Sequence, residues 1–210
     1  MGTDSGLKAE RGAKRVRAQI GGVTIADTAR PLLVWHNPRY PAYYFPVEDV
    51  ADGHLDEKKI KNFEGFGDHV TFPWNQVDAW FEEDEEIFVH PRSPYTRIDV
   101  LQSSRHVRVV AGGVTIAESD APRILFETGL PPRIYLPKTH ARMDLLEPTG
   151  TVTHCPYKGR AEYWAFDAEG ERIEDVAWSY PAPLPESQKI IGLLSFYPDR
   201  TEIYVDGERW

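Results

Sequence analysis

The stretch Gly112-Gly113-Val114-Thr115-Ile116-Ala117 repeats, letter for letter, the stretch Gly21-Gly22-Val23-Thr24-Ile25-Ala26, and this recurrence decides the fold. Before the first Gly-Gly pair, Val16, Ala18 and Ile20 alternate with Arg15, Arg17 and Gln19; after it, Val23 and Ile25 flank Thr24. Apolar residues at every second position describe a strand with one buried face. Two such runs joined by Gly-Gly predict a β-hairpin, because glycine supplies the positive φ that tight hairpin turns require. Val107, Val109 and Ala111 lead into the second pair in the same way.

Outward from these hairpins the match continues at a constant offset of 91. Residues 16–46 lie on 107–137 without a gap, with twelve identities in thirty-one positions, including Pro31/Pro122, Pro41/Pro132, Tyr44/Tyr135 and Pro46/Pro137. Self-similarity of this kind is an internal repeat. The expected fold is mostly β, two tandem β-rich domains with little helix. The expected boundaries are a disordered lead-in at 1–13, a degenerate first repeat at 14–102 and a second repeat at 104–210. Further on, the comparison sets Trp74 against Trp164, Ala79-Trp80 against Ala177-Trp178, and Thr96–Val100 against Thr201–Val205 as closing strands. Residues 75–83 read as a short helix. The second repeat is longer, by a loop near 167–172 and by the proline-rich stretch 181–185.

The chain has 210 residues, 41% of them hydrophobic and 12% aromatic, with 17 prolines and a net charge of −9. An acidic chain with a run of five acids at 82–86 is a poor match for nucleic acid, which is held through basic faces. No run approaches the roughly 18 apolar residues of a spanning helix and no apolar leader opens the sequence, so a soluble, cytoplasmic protein without a membrane partner is expected. One cysteine allows no internal disulfide and no cysteine-rich zinc site. No metal or cofactor is expected, and oligomeric state is open.

That cysteine lies in Thr153-His154-Cys155-Pro156-Tyr157-Lys158-Gly159, which sets an imidazole, a thiol, a phenol and an amine side by side. Pro156 favours a β-turn, which would bring Lys158 against Cys155, where an ammonium can stabilise a thiolate. Counting back from Trp74, the first repeat has Gly65–His69 here, without thiol or amine. Glu127 follows the apolar run 124–126 and, if it points inward, needs a cation such as Arg133, Arg142 or Lys158. Cys155, Lys158 and Glu127 are therefore the candidate catalytic residues. Tyr135, Arg133, Arg142, Asp144, His154, Tyr157 and Trp164 are the candidate binding residues around a pocket for a small, anionic ligand. A structural role competes at each position: a lone cysteine is often a small buried hydrophobe, and Tyr135, Trp164 and Trp178 pair with aromatics of the first repeat as core residues would. Enzyme and non-catalytic binding module both remain open.

The second repeat resembles the family catalogued as domain of unknown function 427. The residues that carry the likeness are Gly113–Ser119, Leu125–Thr128, Tyr135–Pro137, Met143–Leu146, His154–Gly159, Tyr163-Trp164, Ala177–Tyr180 and Leu194–Tyr197. The resemblance implies a small β-tent unit, a group that includes methionine-R-sulfoxide reductases and zinc-binding modules. The paired cysteines that hold zinc in such relatives are lacking here. The family's occasional nucleotidyltransferase-like label has no glycine-rich phosphate loop and no evident pair of metal-binding carboxylates behind it in this sequence.

Overall fold

The structure is a computed structural model that describes residues 7–168 and 170–210. The chain forms two compact units, residues 1–94 and 95–210. Both are built from antiparallel strands; the helical segments among the described residues are short 3-10 turns. Among the described residues no helix is long and apolar enough to cross a membrane.

The first unit contains β1 (Lys8–Arg11), β2 (Val16–Ile20), β3 (Val23–Thr28), β4 (Leu32–Asn37), β5 (Tyr40–Pro46), β6 (Lys61–Phe63), β7 (Gly67–Val70), β8 (Ala79–Glu82) and β9 (Glu85–Ile87). They make one sheet in the order β1-β4-β5-β7-β6 and another in the order β3-β2-β8-β9. The second unit contains β10 (Ile98–Gln102), β11 (Val107–Ala111), β12 (Val114–Ser119), β13 (Arg123–Glu127), β14 (Arg133–Leu136), β15 (Leu146–Cys155), β16 (Gly159–Ala168), β17 (Glu171–Ser179), β18 (Leu194–Phe196), β19 (Glu202–Val205) and β20 (Glu208–Arg209). Its sheets run β10-β13-β14-β18-β17-β16-β15 and β12-β11-β19-β20.

The Gly-Gly hairpins are β2–β3 and β11–β12, and both contain a bulge at the same place, between Ala18 and Gln19 and between Val109 and Val110. Their glycines have positive φ, from 54° to 76°. The inward residues of each hairpin meet the following strands in one core per unit. Val16, Ala18, Ile25, Leu33 and Phe45 are buried together in the first unit, and Val107, Val109, Ile116, Ile124 and Leu136, each 91 residues on, are buried together in the second. The repeat is thus written into the packing, since the same offset carries the same inward face.

Several sequence expectations are corrected. Lys8–Arg11, placed in the lead-in, is a strand hydrogen-bonded to β4 with Ala9 opposite Val34; residues 1–6 of that lead-in lie outside the described residues. The strand at 98–102, read as the end of the first repeat, pairs with β13, Val100 opposite Leu125. These two strands stand at the same offset of 91, so β10 opens the second unit as β1 opens the first. The strand that closes on the hairpin in the second unit, β19, has its counterpart in β8: Ile203 lies opposite Val109 as Trp80 lies opposite Ala18. Arg108 covers Tyr204 at 4.5 Å and Arg17 covers Phe81 at 5.1 Å, so even the cation–π pair is shared. Trp80 is therefore the equivalent of Ile203, not of Trp178. The expected helix at 75–83 is a 3-10 turn, Trp74–Gln76, followed by β8. The alternation of buried Trp80 with less buried Ala79 and Phe81 obeys the period of a strand.

The two long sheets differ by an insertion. In the first unit β5 pairs directly with β7. In the second, β17 and β18 stand between β14 and β16. The extra length of the second repeat is thus folded mostly into strands.

Candidate functional site

In the central strands of the long sheet of the second unit, 163–166 and 176–179, both faces are buried, and alternate residues go to opposite sides. Trp164, Phe166, Ala177, Leu194 and Phe196 face the main core. Tyr163, Trp178, Tyr180 and Tyr135 belong to a second cluster on the other face. Over that second face opens a cleft of about 170 Å³. Its polar walls are Glu127, Arg133, Tyr135 and Lys158, and its aromatic walls are Tyr163, Trp178, Tyr180 and Tyr197.

Lys158 reaches the cleft from the β15–β16 turn. Its backbone N–H donates to the Cys155 carbonyl at 3.3 Å, closing the β-turn that Pro156 favours. Gly159 leaves the turn at φ +97°, and a Cβ there would stand 3.3 Å from the Ala182 carbonyl oxygen. The turn is held from the other side by Leu184, whose N–H donates to the Lys158 carbonyl at 3.2 Å, and by the Ser187 hydroxyl, which donates to the Tyr157 carbonyl at 3.2 Å. So fixed, the Lys158 ammonium donates to the Glu127 carboxylate, both side chains being 9% exposed. The Cys155 sulfur is 3.7 Å from the same nitrogen.

Arg133 lies over Trp178 at cation–π range, with 5.8 Å between guanidinium carbon and ring centre. Trp178 meets Tyr197 at 4.4 Å and Tyr135 edge-on at 6.3 Å. Tyr163 hydrogen-bonds Thr153 through their hydroxyls at 2.7 Å. Burial pushes the phenols of Tyr135, Tyr180 and Tyr197 above the usual tyrosine value; for Tyr197 the hydrogen bond to Tyr163 adds to it, and for Tyr135 a hydrogen bond from Trp178 opposes it. These groups are proton-bearing donors throughout the physiological range.

The structure brings Glu127, Arg133, Tyr135 and Lys158 together in one cleft, with Cys155 behind the ammonium, packed against the same aromatic cluster. It does not bring in the others. Trp164 points into the opposite core, its ring covered by Lys138 at 4.3 Å. Arg142 and Asp144 bind each other on the surface, Nε to Oδ1 at 2.9 Å. His154 sits exposed on β15 opposite Arg160. Tyr157 is buried under the 3-10 turn that carries Ser187 and contributes its carbonyl there. Sequence reasoning missed Tyr163, Tyr180 and Tyr197 as wall residues and took Trp178 for core. The signal was present in the phase: 163, 178 and 180 share a face by strand register, Tyr163 lying opposite Trp178.

The first unit supplies an internal comparison. Its β6–β7 turn has the same pattern, with Phe66 N–H donating to the Phe63 carbonyl at 2.9 Å and Gly67 following at φ +87°. Phe63 pairs with Gly67 as Cys155 pairs with Gly159. Phe63 therefore stands where Cys155 stands and Phe66 where Lys158 stands, a correction of two residues to the sequence alignment of this turn. At the position of Glu127 is His36, bonded to the Tyr44 hydroxyl at 2.9 Å, and Tyr44 is the counterpart of Tyr135. Phe63 packs edge-on against Tyr44 at 5.2 Å. The same turn thus closes over phenyl rings in one unit and over a buried ion pair in the other.

Fold and site define a class: a tandem β protein whose second repeat carries an aromatic cleft with a buried lysine–glutamate pair. The family model described as Domain of unknown function (DUF427) matches residues 8–63 and 99–207, and the chain belongs to that family. The two matched segments begin 91 residues apart, at β1 and at the second residue of β10, in agreement with the tandem arrangement. No curated protein matches the chain.

Proposed function

We propose that the second unit binds a small polar molecule in the cleft between Lys158–Glu127 and the wall of Trp178 and Tyr197. The observation that carries this reading is the buried ion pair, set against its absence in the first unit. Burying two charges costs several kcal/mol for each ion before their mutual attraction is counted, and well-packed apolar residues often do as well or better. The first unit closes the same turn with Phe63 and Phe66, so the fold has no need of the pair. A pair held against its desolvation cost at the edge of an open cleft is suited to exchanging hydrogen bonds with a ligand. The test is a fragment panel followed by amide and indole resonances of the second unit. Binding predicts saturable shifts confined to Tyr163, Trp178, Tyr197 and the Lys158 turn, lost in the Glu127→Leu/Lys158→Phe double variant. A panel that shifts no residue of the cleft would sink the reading.

A second reading is favoured by the 3.7 Å between the Cys155 sulfur and the Lys158 ammonium: Cys155 as a nucleophile beside a cation. Alkylation of the folded protein by iodoacetamide as a function of pH measures it directly. A thiol reacting well below its ordinary value of about 8.5, and losing this in Lys158→Met, supports the nucleophile. A thiol that reacts only on unfolding leaves Cys155 as packing.

A further inference from the structure

Lys158 and Glu127 neutralise each other, which leaves the charge of the cleft to Arg133. Among the described residues Arg133 has no carboxylate partner; its guanidinium lies over Trp178 and acts on the phenols of Tyr135 and Tyr197. A half-buried guanidinium within cation–π range of an indole can turn its edge to the cleft, where its N–H donors are spaced for a carboxylate. The other walls are flat rings: Trp178 and Tyr197, with Tyr163 parallel to Tyr197 within 11°, closed by Leu125, Leu130 and Pro131. Size narrows the choice further. A cavity near 150 Å³ accommodates one benzene ring, so about 170 Å³ gives room inside the cleft for one ring with small substituents.

Resting on the reading of this cleft as a small-molecule site, we propose that its ligand is a single-ring aromatic carboxylic acid bearing a hydroxyl or similar hydrogen-bonding substituent. Its carboxylate takes two parallel N–H donors of Arg133. Its ring lies against Trp178 and Tyr197. Its substituent donates to Glu127 and accepts from Lys158, where a charged acceptor and a charged donor stand side by side.

Four probes separate the parts of this proposal by titration calorimetry on the full chain: 4-hydroxybenzoate, benzoate, 4-hydroxybenzyl alcohol and cyclohexanecarboxylate. The expected order is 4-hydroxybenzoate tightest, benzoate about tenfold weaker through loss of the Glu127–Lys158 contacts, and the neutral alcohol and the saturated acid weaker still. Arg133→Gln is expected to weaken 4-hydroxybenzoate at least tenfold while leaving the weak binding of the alcohol unchanged, a split that a merely misfolded variant would not give. Arg133→Lys, which keeps the charge and loses the paired donors, should fall between. Equal binding of the alcohol overturns the carboxylate assignment, and equal binding of the saturated acid overturns the aromatic one. If none of the four binds while other fragments still shift Tyr163 and Trp178, the ligand class is wrong and the site stands; if no fragment shifts them, both fall.

Discussion

A side chain's worth in this protein depends on what stands across from it. Removing the Lys158 ammonium alone, as in Lys158→Met, leaves the Glu127 carboxylate buried without a partner and is expected to cost about 3–5 kcal/mol. Replacing both members with apolar residues, Glu127→Leu/Lys158→Phe, the second after Phe66 of the first unit, should cost much less than the single change. Urea midpoints of the single and double variants measure the difference, and a double variant less stable than Lys158→Met would contradict the view that the pair is kept for its chemistry. Titrating residues obey the same logic. His69 is buried, and its pKa lies below the ordinary 6.5, with burial as the main cause. The unfolded chain therefore binds the proton first, and the stability His69 confers is present above pH 6.5 and lost as pH falls below it, at up to about 1.4 kcal/mol per pH unit. His69→Gln should flatten the stability curve between pH 7 and pH 5. The buried tyrosines act at the other end. Tyr43, Tyr135 and Tyr180 have raised pKa values, so their contribution is intact below pH 10 and is lost as the unfolded chain ionises above it. Their tyrosinate absorbance should appear together with unfolding, not before.

Strands and turns show what could be read from sequence and why. The Gly-Gly hairpins were legible because every part of the signal is local: a period of two, two residues that tolerate positive φ, and a period of two again. The turn at Lys158 was legible for the same reason, and so was its approach to Cys155. Which strand lies beside which is not local. Thr96–Val100 and Thr201–Val205 share a pattern of alternating β-formers, yet one pairs with β13 and the other with β11. The alternation alone does not distinguish them. The aromatic wall was hidden for a related reason: when both faces of a strand are buried, polar and apolar no longer alternate, and Tyr163-Trp164 reads as uniform core. Glycine positions test the packing of these elements. Gly21 and Gly112 occupy the same turn position with φ near +55°, but a Cβ on Gly21 meets nothing within 4 Å, whereas one on Gly112 would lie 2.7 Å from Phe166 Cε1 and 2.8 Å from a Glu171 carboxylate oxygen. Both Gly→Ala changes carry the left-handed strain, about 1–2 kcal/mol. Gly112→Ala carries in addition an overpacking cost of about 1–3 kcal/mol. Thermal unfolding of the two variants should separate them by that amount, and equal losses would mean that the hairpin tip does not press on β16.

On the scale of the whole chain, duplication followed by divergence explains why the same turn carries an ion pair at a cleft in one unit and phenyl rings in the other. The hairpin, the bulge, the cation–π pair on its partner strand and the inward core residues are common to both. The insertion of β17 and β18 brings Trp178, Tyr180 and Tyr197 into the second unit only. This places the unit boundary where the sheets place it, at Pro94/Tyr95, and not at Ser103, where the sequence comparison set it. The difference matters physically because β10 covers one edge of the long sheet and supplies Val100, which is 5% exposed and packs in the cluster that includes Leu125 and Tyr135. A fragment of residues 95–210 is expected to unfold cooperatively and to retain the resonance shifts of the cleft on ligand addition. A fragment of residues 103–210 loses five ladder residues and opens the edge at β13, exposing Leu125, so it should melt lower or lose dispersed amide resonances altogether. Burying a valine side chain is worth about 1.5–3 kcal/mol, a large fraction of the 5–15 kcal/mol that a domain of this size holds. Comparable melting of the two fragments would show instead that β10 is an ornament on the second unit, and that the boundary read from the sequence is adequate.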